Sequence, residues 1–309
     1  MSPPGPGTRR AGAWPLAFLV PLLCASPAPG AAPQAFDPAQ SDPRAVAIAD
    51  LMMAALGGPR AWEQTRFLHF AFAVERSSGR TALRTHLWDR REGRLRYQAT
   101  GKDGAPFVVL IDLDSRRGEA YRLPREAAAQ GAAGEGLRAP ARIDPEASRP
   151  LLEEAYEAWI NDTYWVLMPY KMKDPGVRLK YAGEASRDGE EYDLLDLTFD
   201  GVGLTPGDRY RAHVNRKTHL MDRWSYILQD DPPGSEPTVW DWKGWTRRGR
   251  ILLCPEKVTS RKGATVKIVH PILEVYDTLP DAYFTSPEPL PGEMGERARP
   301  LRQPDRTGP

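Results

Sequence analysis

The sequence predicts an α+β protein that consists mainly of antiparallel β-strands. Three observations lead to this fold class: many segments alternate apolar and polar residues, clusters of Gly, Pro and Asp separate them, and only two segments have a helical period. Strands and helices do not alternate along the chain, as they would in a parallel βαβ fold. We therefore expect antiparallel strands to dominate both halves of the chain.

Residues 1–32 have the composition of an export signal. Arg9 and Arg10 precede an apolar stretch at 13–24, and small residues and prolines follow it. The stretch contains two prolines and is shorter than the roughly 20 apolar residues that span a membrane. We expect an exported, periplasmic and soluble mature protein. Lipid anchoring at Cys24 is the weaker alternative, because a bulky residue precedes that cysteine.

The charge balance and the cysteine count exclude several classes of protein. The 42 Lys and Arg residues are matched by 41 Asp and Glu, so no excess of positive charge favours a nucleic-acid partner. Loss of the leader removes two Arg and changes the net charge from +1 to −1. It also leaves Cys254 as the single cysteine, which excludes an internal disulfide. Its apolar neighbours favour a buried, inert thiol over a reactive nucleophile.

A short helix and a β-hairpin begin the mature chain. Ser41 or Asp42 can cap a helix over 43–56, which two glycines end. The period then changes to two, which predicts a strand over 68–74 and a second strand over 81–88. A turn that contains two serines joins these strands.

The register of this hairpin follows from its apolar pattern. If the two serines form the loop, Phe72 lies opposite Leu83 and Glu75 lies opposite Arg80. This register places every large apolar residue of the hairpin on one face, and a slip by one residue would destroy that separation.

A second helix interrupts the strands that follow. Asp144 can cap it and Pro145 suits its first turn. Asn161 and Asp162 are expected to close this helix and to bond nearby backbone groups. Its apolar stripe is expected to pack in the core and consists of Leu151, Leu152, Ala155, Tyr156, Trp159 and Ile160. The other predicted strands lie at 95–100, 107–113, 119–123, 177–181, 192–199, 209–215, 221–228, 237–245, 251–261 and 266–275.

Two segments lack the apolar side chains that a core requires. Residues 125–142 are rich in Ala, Gly and Arg, which predicts a mobile surface loop. Residues 286–309 hold six prolines and no aromatic residue, which predicts a disordered tail. We therefore expect one folded domain over 33–285.

No motif in the chain supports catalysis, a cofactor or a metal ion. The predicted register places His69 opposite His86, but no third ligand completes a zinc site, so exposed or second-layer histidines are favoured. The glycine-rich segment 201–207 lies between strands and lacks both GxGxxG and a following helix. GxSxG is absent and no pair of carboxylates can be singled out. We expect a protein that is not an enzyme.

Aromatic residues are the most informative functional signal. Trp240 and Trp242 share one face of a predicted strand, and others lie on or beside strands or follow the second helix. Such side chains can line an apolar cavity, offer flat platforms for sugar rings, or fill a core. The candidate ligand-binding residues are Phe70, Phe72, Leu83, Trp88, Tyr164, Trp165, Tyr170, Trp224, Trp240 and Trp242.

The order of elements resembles the LolA/LolB-like fold of the outer-membrane lipoprotein-carrier superfamily. Asn161–Tyr181 and Phe199–Tyr210 look like hallmark stretches of a family of exported bacterial proteins of this type. The resemblance covers residues 43–285 and implies a curved, half-open β-barrel that wraps around helices and encloses an apolar cavity. The carriers use this cavity for the acyl chains of lipoproteins, and related members bind other lipids or sense envelope stress. The loop at 125–142 and the polar hallmark stretches depart from the carriers proper.

These observations lead to two main functional hypotheses. The first is an exported binding protein of the cell envelope, without catalysis, whose apolar cavity holds a lipid or other amphipathic small molecule, with an envelope lipoprotein or a membrane as a further partner. The second is an exported carbohydrate-binding or carbohydrate-active protein, which requires indoles exposed to solvent. A third, structural alternative is a protein partner added at the edge of the half-open sheet.

Overall fold

The computed structural model describes residues 35–124, 139–199, 207–261 and 263–299. The predicted export signal, most of the predicted loop at 125–142 and most of the glycine-rich segment 201–207 lie outside these ranges. The helices are α1 (Pro43–Ala55), α2 (Pro59–Gln64), α3 (Pro145–Leu167) and α4 (Ala282–Thr285). The strands are β1 (Phe67–Arg76), β2 (Gly79–Arg80), β3 (Arg84–Asp89), β4 (Arg94–Thr100), β5 (Pro106–Asp112), β6 (Gly118–Arg122), β7 (Ala141–Arg142), β8 (Val177–Arg187), β9 (Glu190–Phe199), β10 (Arg209–Asn215), β11 (Met221–Ile227), β12 (Thr238–Lys243), β13 (Thr246–Arg248), β14 (Ile251–Leu253), β15 (Glu256–Arg261), β16 (Ala264–Val269) and β17 (Leu273–Tyr276).

One antiparallel sheet contains all of these strands except the β13–β14 pair. Its order is β7-β6-β5-β4-β3-β1-β16-β15-β12-β11-β10-β9-β8, and β2 and β17 also pair with β1. The two end strands, β7 and β8, do not pair with each other, so the described sheet is open. The predicted α+β class with a half-open antiparallel sheet around a few helices is therefore confirmed.

The first helix forms where the capping residues predict it. The Asp42 carboxylate accepts hydrogen bonds from the backbone N–H groups of Arg44 at 2.7 Å and Ala45 at 3.3 Å. Pro43 occupies the first turn, where its missing N–H costs nothing. The buried face of α1, which consists of Ala45, Ile48, Ala49 and Met52, packs in the main core. The helix therefore packs against one face of the sheet, which we call the inner face; the opposite face is the outer face.

The second long helix, α3, extends further than the sequence predicts. Asp144 caps it by accepting from the backbone N–H of Glu146 at 2.9 Å, as expected. The predicted end at Asn161 and Asp162 is wrong, because α3 continues to Leu167 and both residues are buried inside it. The side chain of Asp162 bonds groups on the sheet rather than the local backbone, so nothing at this position ends the helix.

The register predicted for the first hairpin is correct at its tip and wrong beyond it. Glu75 pairs with Arg80 as expected, but residues 81–83 leave the ladder, and Phe72 then pairs with Arg84. Leu83, which was predicted to face the cavity, is 40% exposed. The shift by one residue turns the polar side chains of β3 toward the inner face of the sheet.

The same shift separates the two histidines that the sequence placed opposite each other. His86 pairs with Phe70 on the inner face, whereas His69 pairs with Leu87 on the outer face. The predicted pairing of these imidazoles is therefore wrong. Within the described ranges, no group of three His, Cys, Asp or Glu side chains is arranged to hold a metal ion.

The C-terminal segment packs against the outer face of the sheet. The sequence predicts disorder from Ser286, but the buried Arg96 guanidinium donates to the carbonyls of Ser286 and Glu288, each at 2.7 Å. Met294 is buried with Phe67 in a small outer cluster. The composition of this segment does not indicate that it packs on the sheet, where it covers Arg96 and Phe67. The last ten residues, 300–309, lie outside the described ranges.

Two further differences concern short strands. Ala141–Arg142, at the end of the predicted mobile loop, forms β7 and pairs with β6. The predicted strand over 251–261 is divided into β14 and β15, because Pro255 interrupts the ladder between them. No helix in the described part of the chain is long and apolar enough to cross a membrane.

Candidate functional site

Aromatic side chains cover the inner face of the C-terminal half of the sheet. Trp224 on β11 pairs across the strands with Trp240 on β12 and lies beside Tyr210, whose ring it stacks on at 4.8 Å. From α3, Trp165 meets the ring of Trp240 at 5.1 Å in an edge-to-face contact. The alternation of side chains along β10–β12 places the rings of these strands on one face. The last turns of α3 pack further rings against them.

A narrow cleft lies among these rings and is too small for a water molecule. The indoles of Trp165, Trp224 and Trp240 are buried, so none of them offers a flat face to solvent. The aromatic platform that a carbohydrate ligand requires is therefore not formed by these residues. The cleft is lined by Asn161, Tyr164, Trp165, Tyr210, Trp224 and Tyr226.

A buried ionic network joins α3 to the N-terminal half of the sheet. The Asp162 carboxylate accepts two hydrogen bonds from the Arg84 guanidinium, from Nε at 2.9 Å and from Nη2 at 2.6 Å. Its Oδ2 also lies 2.9 Å from Nε2 of His86, and its Oδ1 accepts from the Asn161 amide at 2.9 Å. Asp162 and His86 are fully buried, and the Arg84 side chain is 31% exposed. Polar side chains that the apolar pattern would place outside are thus paired with one another inside.

The charges of this network follow from its burial and its partners. Burial alone would raise the pKa of Asp162, but the Arg84 cation and the hydrogen bond from His86 outweigh it and hold that pKa below its usual value. Burial lowers the pKa of His86 in spite of Asp162. The imidazole is therefore neutral at pH 7. Because a carboxylate only accepts, Nε2 of His86 carries the proton and Nδ1 is left as an acceptor.

Two acceptors of this network have no hydrogen-bond partner in the described ranges. One is Nδ1 of His86 and the other is Oδ1 of Asn161, both buried. Asn161 also lines the aromatic cleft, so it connects the ionic network to the rings. A buried acceptor without a partner costs about 1–3 kcal/mol, which makes these positions suited to a donor brought by a ligand.

The remaining candidate residues have different surroundings. Phe70 stacks on the His86 ring at 4.6 Å, and Phe72 lies under the Arg84 guanidinium at 4.6 Å, so both are on the inner face. Trp88 packs edge to face against a tryptophan of α3.

Tyr170, by contrast, has a structural role. Its single hydroxyl proton is shared between two backbone carbonyls, those of Leu56 at 3.0 Å and Leu252 at 2.6 Å, and its ring stacks on Trp62 at 4.5 Å. It therefore fixes a corner between the helices and β14.

A second group of buried polar residues lies on β15 and β16, and the sequence did not point to it. Lys257 faces Trp242 across the strands, and its Nζ lies 4.5 Å from the centre of that ring. His270 is buried nearby and donates through Nδ1 to the carbonyl of Ala71 at 3.0 Å. A single lysine in a strand is typical of a solvent-facing position, so no local pattern indicated that this one is buried. Only the pairing of Lys257 with the inward-facing Trp242 reveals it.

Comparisons with known proteins give likenesses of structure only. Neither the protein-family models nor the curated proteins give a match. Among solved structures, a DUF1329 family protein from Desulfovibrio piger is 15% identical, with 80% of this chain and 100% of that chain covered and a TM-score of 0.43. A putative outer membrane lipoprotein-sorting protein domain from Vibrio parahaemolyticus is 9% identical, with 78% and 96% covered and a TM-score of 0.41. A LolA superfamily protein from Nitrosomonas europaea is 12% identical, with 78% and 97% covered and a TM-score of 0.41.

Proposed function

We propose that this chain is an exported, non-catalytic binding protein of the cell envelope that holds a lipid-like, amphipathic ligand against the inner face of its sheet. The observation that carries the proposal is the position of Asn161, whose Oδ1 has no partner in the described residues and which lines the aromatic cleft. An apolar wall with a few oriented polar atoms is the usual composition of a small-molecule site. An amphipathic molecule with a hydroxyl or amide donor matches both parts of this wall.

The ligand enters by replacing side-chain contacts, because the cleft among the rings is too narrow even for a water molecule. Each buried methylene of an acyl chain contributes about 0.8 kcal/mol, so a chain of moderate length can compensate for the contacts that the rings give up. The open edges of the sheet at β7 and β8 leave the two ends free to separate. An envelope lipoprotein or the membrane surface is the natural donor or acceptor of such a ligand.

The first test is native mass spectrometry of the protein purified from the exported fraction without detergent, followed by organic extraction. A stoichiometric amphipathic molecule that is released on extraction supports the proposal. The extracted protein is then titrated with hexadecanol and hexadecanoate, with tryptophan emission as the signal. A protein that is empty and also shows no saturable uptake of either probe contradicts the proposal.

A matched pair of variants locates the binding. Tyr226→Leu removes a ring from the cleft, whereas Tyr121→Leu removes a ring from the outer face of β6. We expect Tyr226→Leu to change the affinity for hexadecanol at least fivefold and Tyr121→Leu to leave it unchanged. Equal behaviour of the two variants would place the ligand elsewhere.

A further inference from the structure

Lys257 is a buried cation with few partners. Its side chain is fully buried, and Nζ donates one hydrogen bond, to the carbonyl of Cys254 at 2.7 Å. An ammonium group has three donors, so two N–H bonds of Lys257 have no hydrogen-bond acceptor among the described residues, although Nζ lies over the Trp242 ring. Burial lowers the pKa of Lys257 to about 8, which leaves most of the population charged at pH 7. An unpaired buried charge is costly unless something compensates for it.

No carboxylate of the described chain compensates for this charge. Three carboxylates are buried there, and each is engaged by other groups. Their partners are Arg66 and Arg94 for Asp89, Arg84 and His86 for Asp162, and the Tyr210 hydroxyl and Gln229 backbone N–H for Asp208. The described chain therefore gives Lys257 no counter-charge, and the Trp242 ring, 4.5 Å from Nζ, only partly offsets its charge.

His270 lies next to Lys257 on the same face. Lys257 pairs with Ile268, and the ladder continues past β16, because the N–H of His270 donates to the carbonyl of Pro255 at 2.9 Å. His270 is thus the diagonal neighbour of Lys257, a separation of roughly 7–8 Å that a long side chain spans. Burial and the Lys257 charge hold the pKa of His270 well below its usual value, so the ring is neutral.

The tautomer of His270 follows from its partner. Nδ1 donates to a carbonyl, which only accepts, so Nε2 of the neutral ring carries no proton. This Nε2 is buried and has no partner within the described ranges. The inner face therefore presents a cationic donor and a bare acceptor side by side.

We propose that Lys257 and His270 bind the head group of the ligand, and that this head group is a phosphate monoester. Its anionic oxygens accept from Lys257, and the hydroxyl of its monoanion donates to Nε2 of His270. A carboxylate accepts from Lys257 but has no proton for Nε2 of His270, and an alcohol can donate and accept but brings no negative charge. The inference rests on the proposed function, because the alkyl chain lies along the aromatic wall that begins at Trp242.

The site lies one side chain away from solvent. The Phe72 ring lies between His270, at 5.8 Å between ring centres, and the Arg84 guanidinium, at 4.6 Å. Arg84 is 31% exposed, so an anion that approaches this end of the half-barrel first meets a cation already bound to Asp162. Phe72 is therefore the side chain that lies between this cation and His270.

The test compares hexadecyl phosphate, hexadecanoate and hexadecanol on the extracted protein at pH 6.5 by isothermal titration. We expect hexadecyl phosphate to bind at least tenfold more tightly than hexadecanol, with hexadecanoate between them. In Lys257→Met we expect the preference for hexadecyl phosphate over hexadecanol to fall to within twofold. In His270→Phe only the advantage of hexadecyl phosphate over hexadecanoate is lost.

The matched control is Lys267→Met, which removes a lysine from the neighbouring strand that is 39% exposed and pairs with Glu256 at 2.9 Å. It should leave every preference unchanged. Equal affinities of the wild-type protein for the three probes, or an unchanged preference in Lys257→Met, overturn the head-group inference while uptake of hexadecanol upholds the proposed function. Uptake of none of the probes overturns both. Inorganic phosphate that binds as tightly as hexadecyl phosphate identifies a free anion as the ligand and overturns the lipid head group.

Discussion

The inner face of the sheet holds two cations, Arg84 and the buried Lys257, in very different surroundings. Arg84 gives two hydrogen bonds to the Asp162 carboxylate, which His86 and Asn161 also bind. Lys257 gives one hydrogen bond to a backbone carbonyl and has no carboxylate partner in the described chain. The first arrangement balances its charges within the protein and joins α3 to the sheet. The second has no counter-charge in the described chain, an arrangement more typical of a binding site than of a structural contact.

Removal of the central carboxylate gives the largest expected effect. Asp162→Ala leaves the Arg84 cation and the buried His86 without their partner, and we expect a loss of about 3 kcal/mol in the free energy of unfolding. Urea denaturation of the wild-type and variant proteins measures it. Asp196→Ala, which breaks an exposed pair with Arg211, is the control and should cost less than about 1 kcal/mol. Equal losses in both variants would mean that the Asp162 network does not fasten the helix.

The next prediction extends the comparison to a third cation, Arg96, which is buried on the outer face. Arg96 on the outer face has no carboxylate in hydrogen-bond contact among the described residues but donates to the carbonyls of the C-terminal segment, and burial lowers its pKa to about 10. Arg96→Met should destabilise the protein by about 2 kcal/mol, because those carbonyls lose a charged donor. Amide hydrogen exchange should rise at Ala298, whose N–H donates to Val275. Unchanged exchange there would show that the segment is held by its apolar contacts alone.

The smallest expected effect is an increase, not a loss, in the free energy of unfolding. Lys257→Met removes a charge that nothing in the described chain compensates, and we expect the unliganded protein to become about 1 kcal/mol more stable at pH 7. The folded-state pKa of Lys257 is about 8, below its ordinary value of 10.5, so the unfolded chain binds the extra proton between these pH values. Wild-type stability should therefore rise relative to Lys257→Met as the pH goes from 8 to 10.5. A variant that is less stable at pH 7 would assign Lys257 a structural role like that of Arg84.

The sequence was sufficient to predict those elements that depend on interactions between neighbouring residues. Asp42 and Pro43 predict the start of α1, and the alternation of apolar residues predicts the strands of both halves. The register of β3 could not be predicted, because the partner of its polar residues is Asp162 on a helix far along the chain. The predicted end of α3 was wrong for the same reason, because Asp162 binds side chains of β3 and does not end the helix.

The candidate site shows a similar division. Alternation along β12 correctly placed Trp240 and Trp242 on one face, and both are buried. Lys257 was missed because a lysine within a strand normally faces water, and its burial depends on a strand order that local patterns do not contain. Leu83 was included because its apolar side chain suited a register that the structure does not have.

The pairing of β1 with β16 has a consequence for the order in which the chain folds. Ala73, near the start of the sheet, pairs with Val269, near its end, so the central seam cannot form until almost the whole chain is available. Such long-range contacts make folding slow. Until β16 arrives, β1 has a bare edge that can pair with another chain. We therefore expect the newly made protein to depend on a chaperone that keeps this edge from pairing. We also expect truncation before residue 264 to yield aggregates rather than a smaller folded domain.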